Sequence, residues 1–327
     1  MQGEIARKRD PYFDNLKGVL IVLVVAGHMM NLYRDSNVYC NYIFHLIYAF
    51  HMPLFFYISG YFSKNVEKTY KNAFASLIIP AIPFELLYYL MHVVTKADNT
   101  QPFLTPVFAY WFCFALFFCR MLLPYLIRIR WIVPVTFALA LAAGFNARIN
   151  EYMTLSRFLC MLPFFMLGYY TSRDSMERLR GIKAAPAAAM GIAAAAAVIA
   201  LLTFTDAGLG FTLRSPYGSA SGVLFRAAQF ALALPLSTAV MRLTPAKESY
   251  LSVIGKRTLQ IYFLHFYFTT AIKMLNPLAG QSLLNCVIML IGAPLIAALL
   301  SVRPLSTCYD ALINATRKLL LRQGEES

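Results

Sequence analysis

The sequence predicts an all-α integral membrane protein, a polytopic bundle of about ten transmembrane helices with both termini cytoplasmic. Three observations carry this. Of 327 residues, 59% are hydrophobic and only 13% are charged, with a mean hydropathy of +0.60. An ordinary soluble domain is about 25% charged. Ten apolar segments can be drawn, at 13–33, 42–62, 73–94, 104–127, 131–146, 153–171, 184–204, 222–243, 250–270 and 283–301. At about 1.5 Å rise per residue most are long enough to cross a hydrocarbon core about 30 Å thick. Finally, Lys and Arg alternate by side. Eighteen lie near one set of ends, from Arg7, Lys8 and Arg9 to Arg317, Lys318 and Arg322, and five (Arg34, Lys96, Arg148, Arg214, Lys273) lie near the other. The richer side faces the cytoplasm.

Segment by segment, the first carries Asp14, Lys17 and His28, and the second His45, His51 and Pro53. The third holds Pro80, Pro83 and Glu85, the fourth Arg120, the sixth Arg157 and the eighth Arg226. Segment 131–146 is the shortest. The seventh is Ala-rich without an ionisable residue, reading as packing or lipid-facing filler. The ninth is the most polar, with Lys256, Arg257 and His265. Past Arg303 the tail alternates apolar and basic residues and reads either as a helix on the cytoplasmic surface or as a frayed polar end. The whole forms one integral membrane domain, with residues 1–12 and 302–327 as cytoplasmic ends. Arg7, Lys8 and Arg9 resemble a signal-peptide start. The run behind them contains Asp14 and Lys17 and lacks a small-residue cleavage site, so it reads as a retained span.

The net charge of +14 is scattered over many short loops, which argues for topology determinants rather than a nucleic-acid surface. Six cysteines, mostly inside apolar segments, show no C-x-x-C spacing. Neither a structural disulfide nor a zinc site is expected.

Polar groups deep in lipid are costly and point to function. Asp14, Lys17 and His28 share one stripe of one helix, because eleven steps of about 100° return nearly to the starting face. Lysine and histidine are then about 16 Å apart along the axis.

These motifs resemble the acyltransferase family 3 membrane proteins. The stretch YFDNLKGVLIVLVVAGHMM is similar to their first span, whose mark is a basic residue, ten residues, then histidine, here Lys17 and His28. FHMPLFFYISGYFSK at 50–64 resembles the second span of the fucose 4-O-acetylase-like branch. Further similarity lies at 110–124, 156–170 and 254–268. The resemblance implies transfer of an acyl group, commonly acetyl from acetyl-CoA as co-substrate, to a hydroxyl of a sugar in a surface glycan or lipid-linked precursor. It implies a multi-pass protein of the bacterial inner membrane, with no bound cofactor.

Counting depth from each membrane entry sorts the buried ionisable groups into two layers. The inner one (Lys17, Arg120, Lys256, Arg257, beside Asp14) suits the phosphates of acyl-CoA. The outer one (His28, His51, Glu85, Arg157, His265) suits deprotonation of an acceptor hydroxyl, with His28 expected as general base. Asp14 or another carboxylate is expected to orient Lys17, and His28, Lys17 and Asp14 form the expected catalytic set. The pantetheine arm of CoA would then reach from one layer to the other. A transporter or flippase for a lipid-linked sugar is the competing reading, although the two halves show no repeat. Oligomeric state is not legible.

Overall fold

Residues 9–95, 110–205, 213–278, 280 and 282–321 are described by the computed structural model. Arg7, Lys8, Lys96, residues 104–109 of the fourth segment and Arg322 fall outside these. The described residues form helices, turns and loops, with no strand. The helices are α1 (Pro11–Tyr33), α2 (Val38–Tyr61), α3 (Val66–Lys71), α4 (Ile79–Thr95), α5 (Trp111–Leu126), α6 (Ile132–Ala142) and α7 (Leu155–Tyr170). They continue as α8 (Arg173–Gly181), α9 (Ala184–Phe204), α10 (Gly222–Leu243), α11 (Tyr250–Lys256), α12 (Thr258–Leu275), α13 (Leu283–Leu300) and α14 (Arg303–Leu320).

Each expected segment is largely helical over its described residues, and among those residues six helices are both long and apolar enough to cross a membrane: α1, α2, Phe74–Met91, α9, α10 and α13. The others are shorter or broken. Segment 131–146 gives α6 plus one 3-10 turn, Ala143–Phe145. The ninth splits at Arg257 into α11 and α12, with φ −111° and ψ 22° at the break. A π turn at Phe74–Ile78 precedes α4, whose start carries Pro80 and Pro83. Of the two readings of the tail, the helical one holds, since α14 packs against α4 and its Asp310 pairs with Arg257 at 3.0 Å.

The first two helices begin at side-chain caps. The Asp10 carboxylate accepts from Tyr12 N with Pro11 in the first turn, and Asn37 Oδ1 accepts from Tyr39 N and Cys40 N. Such caps satisfy backbone donors that a helix end leaves unpaired.

Long-range bonds gather the helix ends into two groups. At the basic end, Arg180 pairs with Asp10 at 3.0 Å, Tyr12 Oη donates to Met241 O, and Lys64 donates to the Tyr169 and Thr171 carbonyls. At the opposite end, Asn37 Nδ2 donates to Gly280 O and Ser282 O, and Ser156 Oγ to Leu213 O. The two groups match the alternation of Lys and Arg along the sequence.

Two close crossings set α1 and α2. A methyl on Gly255 of α11 would overlap the Asp14 carbonyl of α1, and one on Gly18 would overlap the Leu251 carbonyl. Gly60 of α2 and Gly168 of α7 stand in the same reciprocal relation, each against the other helix's backbone. Small residues let helices approach this closely in a membrane. Asn15, fully buried on α1, fastens the chain before and within α11. Its Nδ2 donates to Pro245 O and Lys247 O, and its Oδ1 accepts from Ser249 Oγ and Ser252 Oγ, all at 2.7–2.8 Å. The apolar exterior, including Leu86, Ile192, Leu224 and Leu295, is what a lipid-facing surface requires.

Candidate active site

Four of the five outer-layer residues converge. His28 from α1, His51 from α2 and Arg157 from α7 line a small cavity of about 30 Å³, together with Tyr48, Trp111 and Tyr262. His265 of α12 lies beside it, its ring centroid 5.1 Å from that of His28. Depth counting puts the three histidines near one level and Arg157 closer to the outer face, and packing brings the four together. His28 faces protein, with 9% of its surface exposed.

Local helix geometry orients the rings. His51 Nδ1 lies 2.7 Å from Ile47 O and His265 Nδ1 lies 3.1 Å from Ile261 O, each one turn back on its own helix. A carbonyl oxygen only accepts, so Nδ1 carries the proton and the Nε2 lone pair is left for other work. His265 Nε2 is buried without a hydrogen-bond partner among the described residues. Tyr48 Oη stands 3.5 Å from His28 Nδ1.

The Arg157 guanidinium lies over the Trp111 ring at 4.7 Å, a cation–π arrangement, and Trp111 stacks on Phe56. The backbone on either side of this rim is strained. Met153 and Thr154, just before α7, have φ of 48° and 60°, and Leu213, which lines the cavity, has φ of 54°. Non-glycine residues rarely adopt this region, and it clusters at functional sites.

Glu85 does not line this cavity. It is half-buried on α4, beside Phe84, which stacks on Phe263 and Tyr309. Arg226 is fully buried over the Tyr217 ring, its Nη1 donating to Ala140 O and its Nη2 to Ser215 O.

The inner layer is arranged differently from its expected composition. A cavity of about 770 Å³ opens at the basic end, and Lys17 is its sole member of the set Lys17, Arg120, Lys256 and Arg257. Arg120 donates to Ser76 Oγ at 3.0 Å, Lys256 pairs with Glu248, and Arg257 pairs with Asp310. They share Lys17's depth but lie on other flanks of the bundle. The mouth is lined instead by Arg9, Lys64, Arg173 and Arg180, which sequence reading took as determinants of topology. Asp14, 2% exposed, binds Arg9 through two contacts of 2.7 and 2.8 Å, and Lys17 Nζ lies 4.0 Å away. Lys17 also sits 5.4 Å from the centre of the Phe62 ring. The carboxylate thus gathers both cations at the inner end of α1.

The two cavities share no lining residue. Tyr48 and Tyr262 at the small cavity, and Arg9, Lys64, Arg173 and Arg180 at the mouth, are participants that sequence reasoning missed. For Tyr48 there was a signal, since it precedes His51 by three residues and so shares its helix face.

A match to the acyltransferase domain family runs over residues 10–302, nearly the whole chain. The chain belongs to this acyltransferase family. It is also similar to nodulation protein NolL of Sinorhizobium fredii (strain NBRC 101917 / NGR234), 49% identical over 63 residues, 18% of this chain and 17% of that protein. With NolL of Mesorhizobium japonicum (strain LMG 29417 / CECT 9101 / MAFF 303099) it is 30% identical over 181 residues, 49% of this chain and 47% of the relative. The chain thus spans less than half the length of these curated relatives. No solved structure matches.

Proposed function

We propose that this acyltransferase-family chain transfers an acyl group, acetyl foremost, from cytosolic acyl-CoA to a sugar hydroxyl of a surface glycan or lipid-linked precursor. The observation that carries this reading is the meeting of His28, His51 and Arg157 around one small cavity with His265 beside it, on four separate helices. The cationic mouth at the other end supports a polyanionic donor. Arg9, Lys17, Lys64, Arg173 and Arg180 line a single cavity there with Asp10, Asp14 and Glu177, five cations against three carboxylates, and charge-assisted contacts to phosphate are strong.

His28 accepts the hydroxyl proton as the sugar oxygen attacks the thioester carbonyl. The C–S bond then breaks, and the proton passes to the departing thiolate. Arg157, held over Trp111, offers positive charge to the oxyanion that forms between these steps. The resemblance of residues 50–64 to fucose 4-O-acetylases makes a deoxyhexose a suitable first acceptor to assay. The membrane is the bacterial inner membrane, with the basic mouth toward the cytoplasm.

Purified protein in detergent, supplied with radiolabelled acetyl-CoA and a panel of sugars, tests this directly. Label should enter a sugar ester, and His28→Ala should lower the rate by about 10²–10⁴-fold while the protein stays monodisperse. Near-normal transfer by that variant removes His28 as the base. Donor binding without turnover, together with sugar flux in proteoliposomes, would mean a transporter.

A further inference from the structure

Two cysteines that the sequence leaves unrelated, 246 positions apart, meet in the fold. Cys40 lies at the start of α2 and Cys286 at the start of α13, and their Sγ atoms are 3.0 Å apart. Both are completely buried. A second arrangement holds the same two helix starts together. Asn37 Oδ1 caps α2 through Tyr39 N and Cys40 N, while its Nδ2 donates to Gly280 O and Ser282 O just ahead of α13. Cys286 Sγ approaches the same Oδ1 at 3.7 Å.

The contact lies at the end of the bundle opposite the basic termini, the end that positive-inside asymmetry assigns to the exoplasmic side. Periplasm, secretory lumen and cell exterior are all oxidising compartments in which disulfides form and persist. Cytosolic thiols in the same contact would stay reduced, so the side decides the chemistry.

We propose that Cys40 and Cys286 form an intramolecular disulfide, a staple on the outer face that joins the second span to the last. The reaction breaks two S–H bonds and forms one S–S bond, releasing two protons and two electrons. The electrons reduce a disulfide of an exported thiol oxidase to its dithiol. One cysteine attacks that disulfide as thiolate, and the other resolves the mixed disulfide. Closing the bond needs an approach of about 1 Å, to the S–S length of about 2.05 Å. Exchange precedes the final seating of α13, since neither sulfur is accessible afterwards, and the finished bond is shielded from external reductant. The expectation of a chain without disulfides rested on local spacing, which is silent about contacts between distant helices.

The test uses the full-length protein in its own membrane. Free thiols are blocked with N-ethylmaleimide in intact cells, and the protein is purified, digested without reductant and examined by mass spectrometry. The expected product is a linked peptide pair containing Cys40 and Cys286, two hydrogens lighter than the sum of its parts and released by dithiothreitol. In Cys40→Ser, Cys286 should become labelled once the protein is unfolded in the blocking reagent. Recovery of both cysteines as alkylated peptides from wild type overturns the proposal. So does a linked pair that appears only when thiols are left unblocked until after lysis. Neither readout depends on catalytic activity, so the staple and the acyl-transfer reading stand or fall separately.

Discussion

The imidazoles of His28 and His265 lie 5.1 Å apart, centroid to centroid, although 237 positions separate them along the chain. His265 Nδ1 is committed to Ile261 O, which leaves its Nε2 as the atom with something to contribute.

This division of labour between nitrogens is testable by amide substitution. His265→Gln places an amide near the position of Nε2, whereas His265→Asn places one near Nδ1. Acyl transfer should be better preserved in His265→Gln, with His265→Asn falling about 10²-fold, within the usual span for a positioned proton-transfer group. Initial rates at saturating donor check this. The reverse order would assign the ring to helix packing.

At the basic mouth, Lys17→Ala and Arg180→Ala should each raise KM for acyl-CoA about tenfold and leave kcat within a factor of two or so, since uniform binding is what they lose. Raising the salt concentration should raise the wild-type KM in the same direction, because contacts with exposed phosphates are screened.

Lys64 gives this mouth a pH dependence. Burial pushes its ammonium below the ordinary lysine range. It therefore discharges at a lower pH than a free lysine, and a polyanionic donor is held less well once it does. KM for acyl-CoA, followed between about pH 7 and pH 10, should rise earlier in wild type than in Lys64→Arg, whose charge persists.

Asn15→Ala should destabilise the junction of α1 and α11. It strips four hydrogen bonds, two from the half-buried Ser249 and buried Ser252 and two from carbonyls of the exposed Pro245 and Lys247, and each buried group left unsatisfied costs about 1–3 kcal/mol. Thermal aggregation of the detergent-solubilised protein should begin at a clearly lower temperature. Asn15→Asp, which keeps the two serine contacts, should fall in between.

Apolar run lengths and alternating charge made the order of the helices and their ends legible in the sequence. Depth needs only a count from the point of entry, and it puts His28, His51, Glu85 and His265 near one level, with Arg157 and Arg226 closer to the outer face; of these, Glu85 and Arg226 do not line the cavity. Lateral position was not legible. Arg120, Lys256 and Arg257 occupy the level of Lys17, yet Ser76, Glu248 and Asp310 hold them on other flanks. Which helix neighbours which is decided by side-chain fit, as at Gly18 and Gly255 or at Asn15, and one sequence carries no periodic signal for that. Arg173 and Arg180 read as ordinary loop charges until α8 folds them over the mouth.

Both glycine crossings, Gly18 with Gly255 and Gly60 with Gly168, lie toward the basic end. A helix held backbone to backbone near one end turns most freely about that end, so a tilt of α1 is felt most in its far half. A tilt of about 10° about Gly18 would displace the α1 backbone at His28, about 15 Å up the axis, by about 2.6 Å. For the acyl transfer proposed above, room for a bulky acceptor would then come from tilting the outer end of α1, with the basic mouth left almost still.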